Sequence, residues 1–168
     1  IEADPDLAAR LVADATGLAD DPIVSGFMHP DRIYVLGDPP VYEPGVERSV
    51  TALAAARGID PWALLLELLL GDDGQELLNA PVLNYTDGNL DAVGEMLRHP
   101  TSAFGLGDGG AHAGQTCDAS TTTFLLSHWA RDRSHDRLSV EDAVHKMTQA
   151  TASFYGLGDR GVLAPGYV

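Results

Sequence analysis

The chain has 168 residues, of which 45% are hydrophobic and 21% charged, the make-up of one globular domain able to bury a core. Its 25 acidic and 10 basic residues leave a formal net charge of −15, which excludes the basic footprint that nucleic acids and anionic membrane surfaces require. The single cysteine, Cys117, rules out an internal disulfide framework and fits a reducing, cytoplasmic compartment. The longest apolar run, residues 62–70, is interrupted by Glu67 and is too short to span a bilayer. No signal peptide is visible, and a start at Ile1 rather than methionine predicts a processed or cut chain.

Asp4-Pro5 predicts a capped helix with proline in its first turn, Leu7, Leu11, Val12 and Ala15 on one face, and Gly17 as its end. Residues 31–37 (D-R-I-Y-V-L-G) read as a strand, closed by Asp38-Pro39-Pro40. A second helix is expected over 46–57, closed by Gly58. A third, over 62–70, follows the cap Asp60-Pro61 and is apolar on nearly every side, the mark of a helix buried between neighbours. Residues 81–85 (P-V-L-N-Y) read as a short strand, and the turn 86–89 leads into a helix over 90–98. His99-Pro100 ends that helix, and 101–106 read as a buried strand. Residues 119–131 are expected to be helical despite three consecutive threonines. Ser139 and Asp142 form a capping box for a helix reaching about Phe154, and 156–168 are glycine-rich and irregular. Helices alternating with about three short strands describe part of an α/β domain whose strand partners are missing.

The segment F-G-L-G-D-G-G-A-H (104–112) carries the most chemistry. It delivers Asp108 from the end of an apolar run into a turn of glycines, among them Gly109, where backbone can approach a ligand closely. Asp108 has two readings. It is a turn aspartate bonded to its own backbone, or it is one of four proton carriers or ligands, with His112, Cys117 and Asp118, crowded into eleven residues. Their spacing matches no closed zinc motif, and Cys117 alone reads as a small buried hydrophobe. Gly105, Gly107 and Gly110 spell G-x-G-x-x-G, but the acidic residue on a following strand that a dinucleotide site needs is absent. Tyr85 and Asp87, at the end of the preceding expected strand, reach the same pocket if the two strands are neighbours. His128, His135 and His145 read as solvated, and Arg131 and Arg133 as helix-end surface charges or partners for a substrate carboxylate.

Six segments then fall in a particular order: L-G-D-P-P-V-Y-E-P-G (36–45), L-N-Y-T-D-G-N-L-D-A-V (83–93), G-D-G-G-A-H-A-G (107–114), T-C-D-A-S (116–120), F-L-L-S-H-W-A-R-D-R (124–133) and G-D-R-G-V-L-A-P-G (158–166). Together they resemble the C-terminal part of the N-acyl-D-amino-acid deacylase (D-aminoacylase-like) branch of the amidohydrolase superfamily, over nearly the whole chain. The resemblance implies a partial (β/α)8 TIM-barrel-like fold, roughly the last quarter of the barrel, with 156–168 starting the return to a β-sandwich domain. It implies hydrolysis of the amide of N-acyl-D-amino acids, with Zn2+ as cofactor in the full-length enzyme. Asp108 matches the strand-eight aspartate that serves as proton shuttle and metal ligand, with Gly107 where serine is frequent. Tyr85, Asp87, Gly109 and His112 become candidate substrate-binding residues.

The H-x-H pair of such enzymes is absent from this sequence and is expected upstream, so the isolated chain is expected to be inactive. Its partners are then a small-molecule substrate and either a second copy or the remainder of its own chain. Two other readings stay open: a non-catalytic binding or oligomerisation module, with the apolar helix at an interface, and a small nucleotide-binding domain.

Overall fold

A computed structural model describes residues 4–105 and 118–168. The chain divides into two compact units, Ile1–Leu90 and Asp91–Val168.

The first unit is built on local capping chemistry. Helix α1 (Pro5–Gly17) starts at Asp4, whose carboxylate accepts from the Asp6 amide at 3.1 Å and pairs with Arg10 at 2.8 Å. Helix α2 (Val50–Arg57) starts at Ser49, whose hydroxyl accepts from the Ala52 amide at 3.2 Å. Gly58 closes it in the left-handed region (φ 68°), where a side chain would be strained. Helix α3 (Pro61–Leu70) is capped by Asp60, whose carboxylate accepts from the Trp62 and Ala63 amides at 2.9 and 3.0 Å.

The second helix expected over 46–57 is in fact two elements. A 3-10 turn, Val46–Arg48, ends where Ser49 becomes extended to cap α2. Ser49 also bridges Tyr34, and the Val50 amide donates to the Ile33 carbonyl at 2.8 Å. The sheet is small. Strands β1 (Tyr34–Val35) and β2 (Leu78–Asn79) pair antiparallel with Tyr34 opposite Asn79 and Val35 opposite Leu78. The long strand expected over 31–37 is shortened because residues Pro30–Arg32 form a 3-10 turn capped by the His29 side chain. Residues 81–85 form no strand. Pro81 lacks an N–H, and Asn84 takes a positive φ of 62°, so no ladder can run through them.

The core of this unit is Ile33, Val50, Ala54 and Leu64, with Leu53, Leu65, Leu68 and Leu78 packed against it. Leu64 is fully buried, whereas Leu69 and Leu70 are each 49% exposed. Helix α3 is therefore not enclosed on all sides as its composition suggested: α1 and α2 pack against it and the remaining face is open.

In the second unit, α4 (Asp91–Arg98) is followed by turn and irregular chain at 101–105 rather than the start of a buried strand. Helix α5 (Thr121–Phe124) runs into a π-helix, Leu125–Asp132, which buries Leu125, His128 and Trp129. Helix α6 (Val140–His145) begins at the expected capping box. The Ser139 hydroxyl accepts from the Asp142 amide at 3.0 Å and donates to the Asp142 carboxylate at 2.7 Å. It continues as a π-helix (Lys146–Ala150) and ends in α7 (Thr151–Phe154). The Thr151 hydroxyl lies 2.9 Å from the Phe104 carbonyl, tying this helix to the segment after α4. Gly161 (φ 86°) sits so close to it that a Cβ there would meet the Gln149 Cα at 2.8 Å. Residues 156–168 are turns and irregular chain, as expected.

Helices with a small sheet fit a piece of an α/β domain. The parallel strands of a (β/α)8 barrel are not shown among the described residues, whose one strand pair is antiparallel. No helix among them is long and apolar enough to cross a membrane.

Candidate functional site

The first unit holds a cavity of about 310 Å³, at the lower end of the range for small-molecule sites. Asp31, Arg32 and Tyr34, from the turn before β1 and from β1 itself, line it together with residues 81–86, Val46 and Gly88.

Tyr85, a predicted site residue, is buried in the cavity wall. Its hydroxyl donates to the Pro44 carbonyl at 2.9 Å, and its ring meets Tyr34 edge-on at 6.1 Å. Burial pushes the Tyr85 hydroxyl well above its ordinary range, helped by Tyr34 and Glu43. Asp87, expected to share the pocket, is exposed, and its backbone carbonyl accepts from the Asn89 amide group at 3.3 Å. Asp108, Gly109 and His112 lie outside the described residues, as does Cys117.

The second unit contains a polar cluster around Asp91. Arg133 is 3% exposed, stacked over the Trp129 ring at 4.7 Å and paired with Asp91 at the start of α4. His135 bonds the same Asp91 carboxylate at 2.9 Å. Hydrogen bonds from His135 and then Arg133 hold the Asp91 carboxyl below its ordinary range. Arg133 is thus no surface charge. Its aliphatic stem and guanidinium are part of the packing around Trp129. His128 is not solvated either: it is 7% exposed and stacked on Phe124 at 4.8 Å. Arg131 is exposed and pairs with Asp132 at 2.6 Å.

Because the Asp91 pKa is depressed, its contribution to stability is present above the usual carboxylate range and is lost as pH falls through the lowered value. Asp91→Asn is expected to lower the melting temperature at neutral pH and to narrow its difference from wild type as the pH is brought below 4, about the ordinary carboxylate value. Asp132→Asn, at an exposed pair, is expected to leave the neutral-pH melting temperature unchanged. Equal effects of the two substitutions would contradict the structural role given to Arg133.

Among the described residues no group of three or more His, Cys, Asp or Glu side chains is placed to hold a metal ion. The model of the amidohydrolase family matches residues 6–168. The chain belongs to the amidohydrolase family. No curated protein and no solved structure matches it. The family places the activity of this amidohydrolase chain among the hydrolases, and family members are typically metal-dependent.

The residues that sequence reasoning missed are Arg32 and Tyr34. Both lay in a segment read only as a strand. The available signal was the charged pair Asp31-Arg32 directly before a short β-branched and aromatic run.

Proposed function

We propose that this amidohydrolase chain contributes to hydrolysis of the linear amide of N-acyl-D-amino acids, giving a D-amino acid and a carboxylate, with Asp108 as proton shuttle. The observation that carries the reading is the family match over 6–168 together with the ordered segments that centre on G-D-G-G (107–110). Asp108 would take a proton from the attacking water and return it to the leaving amine, which a carboxylate beside the scissile bond is suited to do. A bound metal, which we take to be zinc, would lower the pKa of a water and polarise the carbonyl. Asp108 would be one of the residues that hold it. The glycines at 107, 109 and 110 allow backbone to approach the substrate, with His112 as a further contact.

The test is amine release by the full-length product of the reading frame, supplied with divalent metal. Linear N-acyl-amino acids are expected to turn over and a cyclic amide such as a hydantoin is not. Ring opening without hydrolysis of any linear amide would overturn the proposal.

A further inference from the structure

The cavity of the first unit contains a polar group that the fold does not use. Tyr34 is 4% exposed and lines the cavity, yet its hydroxyl has no hydrogen-bond partner among the described residues. Nor is it a sealed, orphaned atom, because the one such side-chain atom among the described residues is the Thr51 hydroxyl. The Tyr34 hydroxyl therefore keeps some accessible surface, on a side chain that lines the cavity. A tyrosine hydroxyl buried to this degree ordinarily finds a partner. Its neighbour Tyr85 shows the contrast: the same ring environment, but a hydroxyl spent on the Pro44 carbonyl.

The second group is Arg32. It lines the cavity and donates through one nitrogen to the Gly26 carbonyl at 3.1 Å, and among the described residues no carboxylate pairs with it. The acidic lining residue, Asp31, is held by the His29 ring at 2.8 Å. Around these donors the wall is mixed: Pro81, Val82, Leu83, Val46 and the two tyrosine rings give apolar surface, and Asn84 and Thr86 add polar groups. Burial and the charges of Asp31 and Glu47 raise the Tyr34 pKa, with Arg32 acting against them, so at neutral pH the group is an O–H donor.

We propose that this cavity is a binding site for a small organic carboxylate with an apolar body, its carboxylate received by the Tyr34 hydroxyl and the Arg32 guanidinium and its body by Val46, Val82 and Leu83. A guanidinium and a hydroxyl lining one cavity offer donors to both oxygens of a carboxylate. The proposal stands apart from the deacylase reading and requires neither Asp108 nor a metal.

The test is titration of the 168-residue chain with 3-phenylpropanoate, followed by amide chemical shifts in 15N-labelled protein, against the neutral 3-phenylpropanamide. The acid is expected to shift the amides of residues 31–35 and 82–86 saturably, and the amide to bind about tenfold more weakly, the value of one charge-assisted hydrogen bond. Tyr34→Phe, which keeps the ring, is expected to weaken the acid about threefold to tenfold. Arg32→Gln, at an exposed side chain, is expected to abolish discrimination between acid and amide. Equal affinity for acid and amide in the wild type, saturable shifts confined to other residues, or no shift in a chain whose amide spectrum is dispersed would each overturn it.

Discussion

Asp108→Asn in the full-length protein is expected to lower kcat for N-acetyl-D-amino acids by about two to four orders of magnitude, the usual worth of a positioned acid–base group. Asparagine has nearly the shape of aspartate and suits the same glycine-rich segment, so the fold should survive. What it cannot do is accept a proton at neutral pH. The loss should therefore fall on kcat, with the melting temperature unchanged. Substitution of His112 by asparagine provides a comparison, because a residue that only contacts substrate should act mainly through KM. A near-normal rate for Asp108→Asn would remove this residue from the chemistry and leave it as a turn aspartate.

Leu64→Ala is expected to cost about 3 kcal/mol, within the range for emptying a fully buried leucine site. Leu64 has no exposed surface and packs with Ile33, just before β1, and with Val50 and Ala54 of α2. Those neighbours are held by the Val50–Ile33 backbone bond and the Ser49 cap, so they are poorly placed to collapse into the space. Urea unfolding followed through Trp62 reads this unit directly, since the other tryptophan, Trp129, lies in the second unit. Leu70→Ala, half-exposed at the end of the same helix, should stay within about 0.5 kcal/mol of wild type. If the two substitutions cost the same, the core does not lie where α2 and α3 meet.

The helices were legible because their signals are local. Asp4-Pro5, Asp60-Pro61, Gly58 and the Ser139–Asp142 pair each act within one turn, and each marks the helix end it announced. The strands were less legible because a ladder depends on a partner. Tyr34 pairs with Asn79, 45 residues away, and nothing in the P-V-L-N-Y run showed that Asn84 would turn out of line. Polar burial was hidden for the same reason. Arg133 looks like a helix-end charge until Asp91, 42 residues earlier, is brought beside it. His128 is buried by its neighbour Phe124 one turn away, a spacing that was visible but outweighed by the usual exposure of histidine.

Of the candidate site, Asp108, Gly109 and His112 rest on motif order and on membership of the amidohydrolase family, because they lie outside the described residues. Tyr85 was singled out for a strand end it does not occupy. It nevertheless lines the cavity of its unit, while Asp87 faces solvent. Tyr34 escaped notice because burial alone turns an ordinary strand tyrosine into a donor without a partner, and burial is not written in a seven-residue segment.

The most direct measurement of the central claim is kcat/KM for N-acetyl-D-leucine against N-acetyl-L-leucine, using the full-length product of the reading frame with divalent metal supplied. The D enantiomer is expected to be hydrolysed at least about tenfold more efficiently, a difference of 1.4 kcal/mol in transition-state binding. Equal rates, a preference for the L enantiomer, or failure to hydrolyse either would contradict the assignment to N-acyl-D-amino acids.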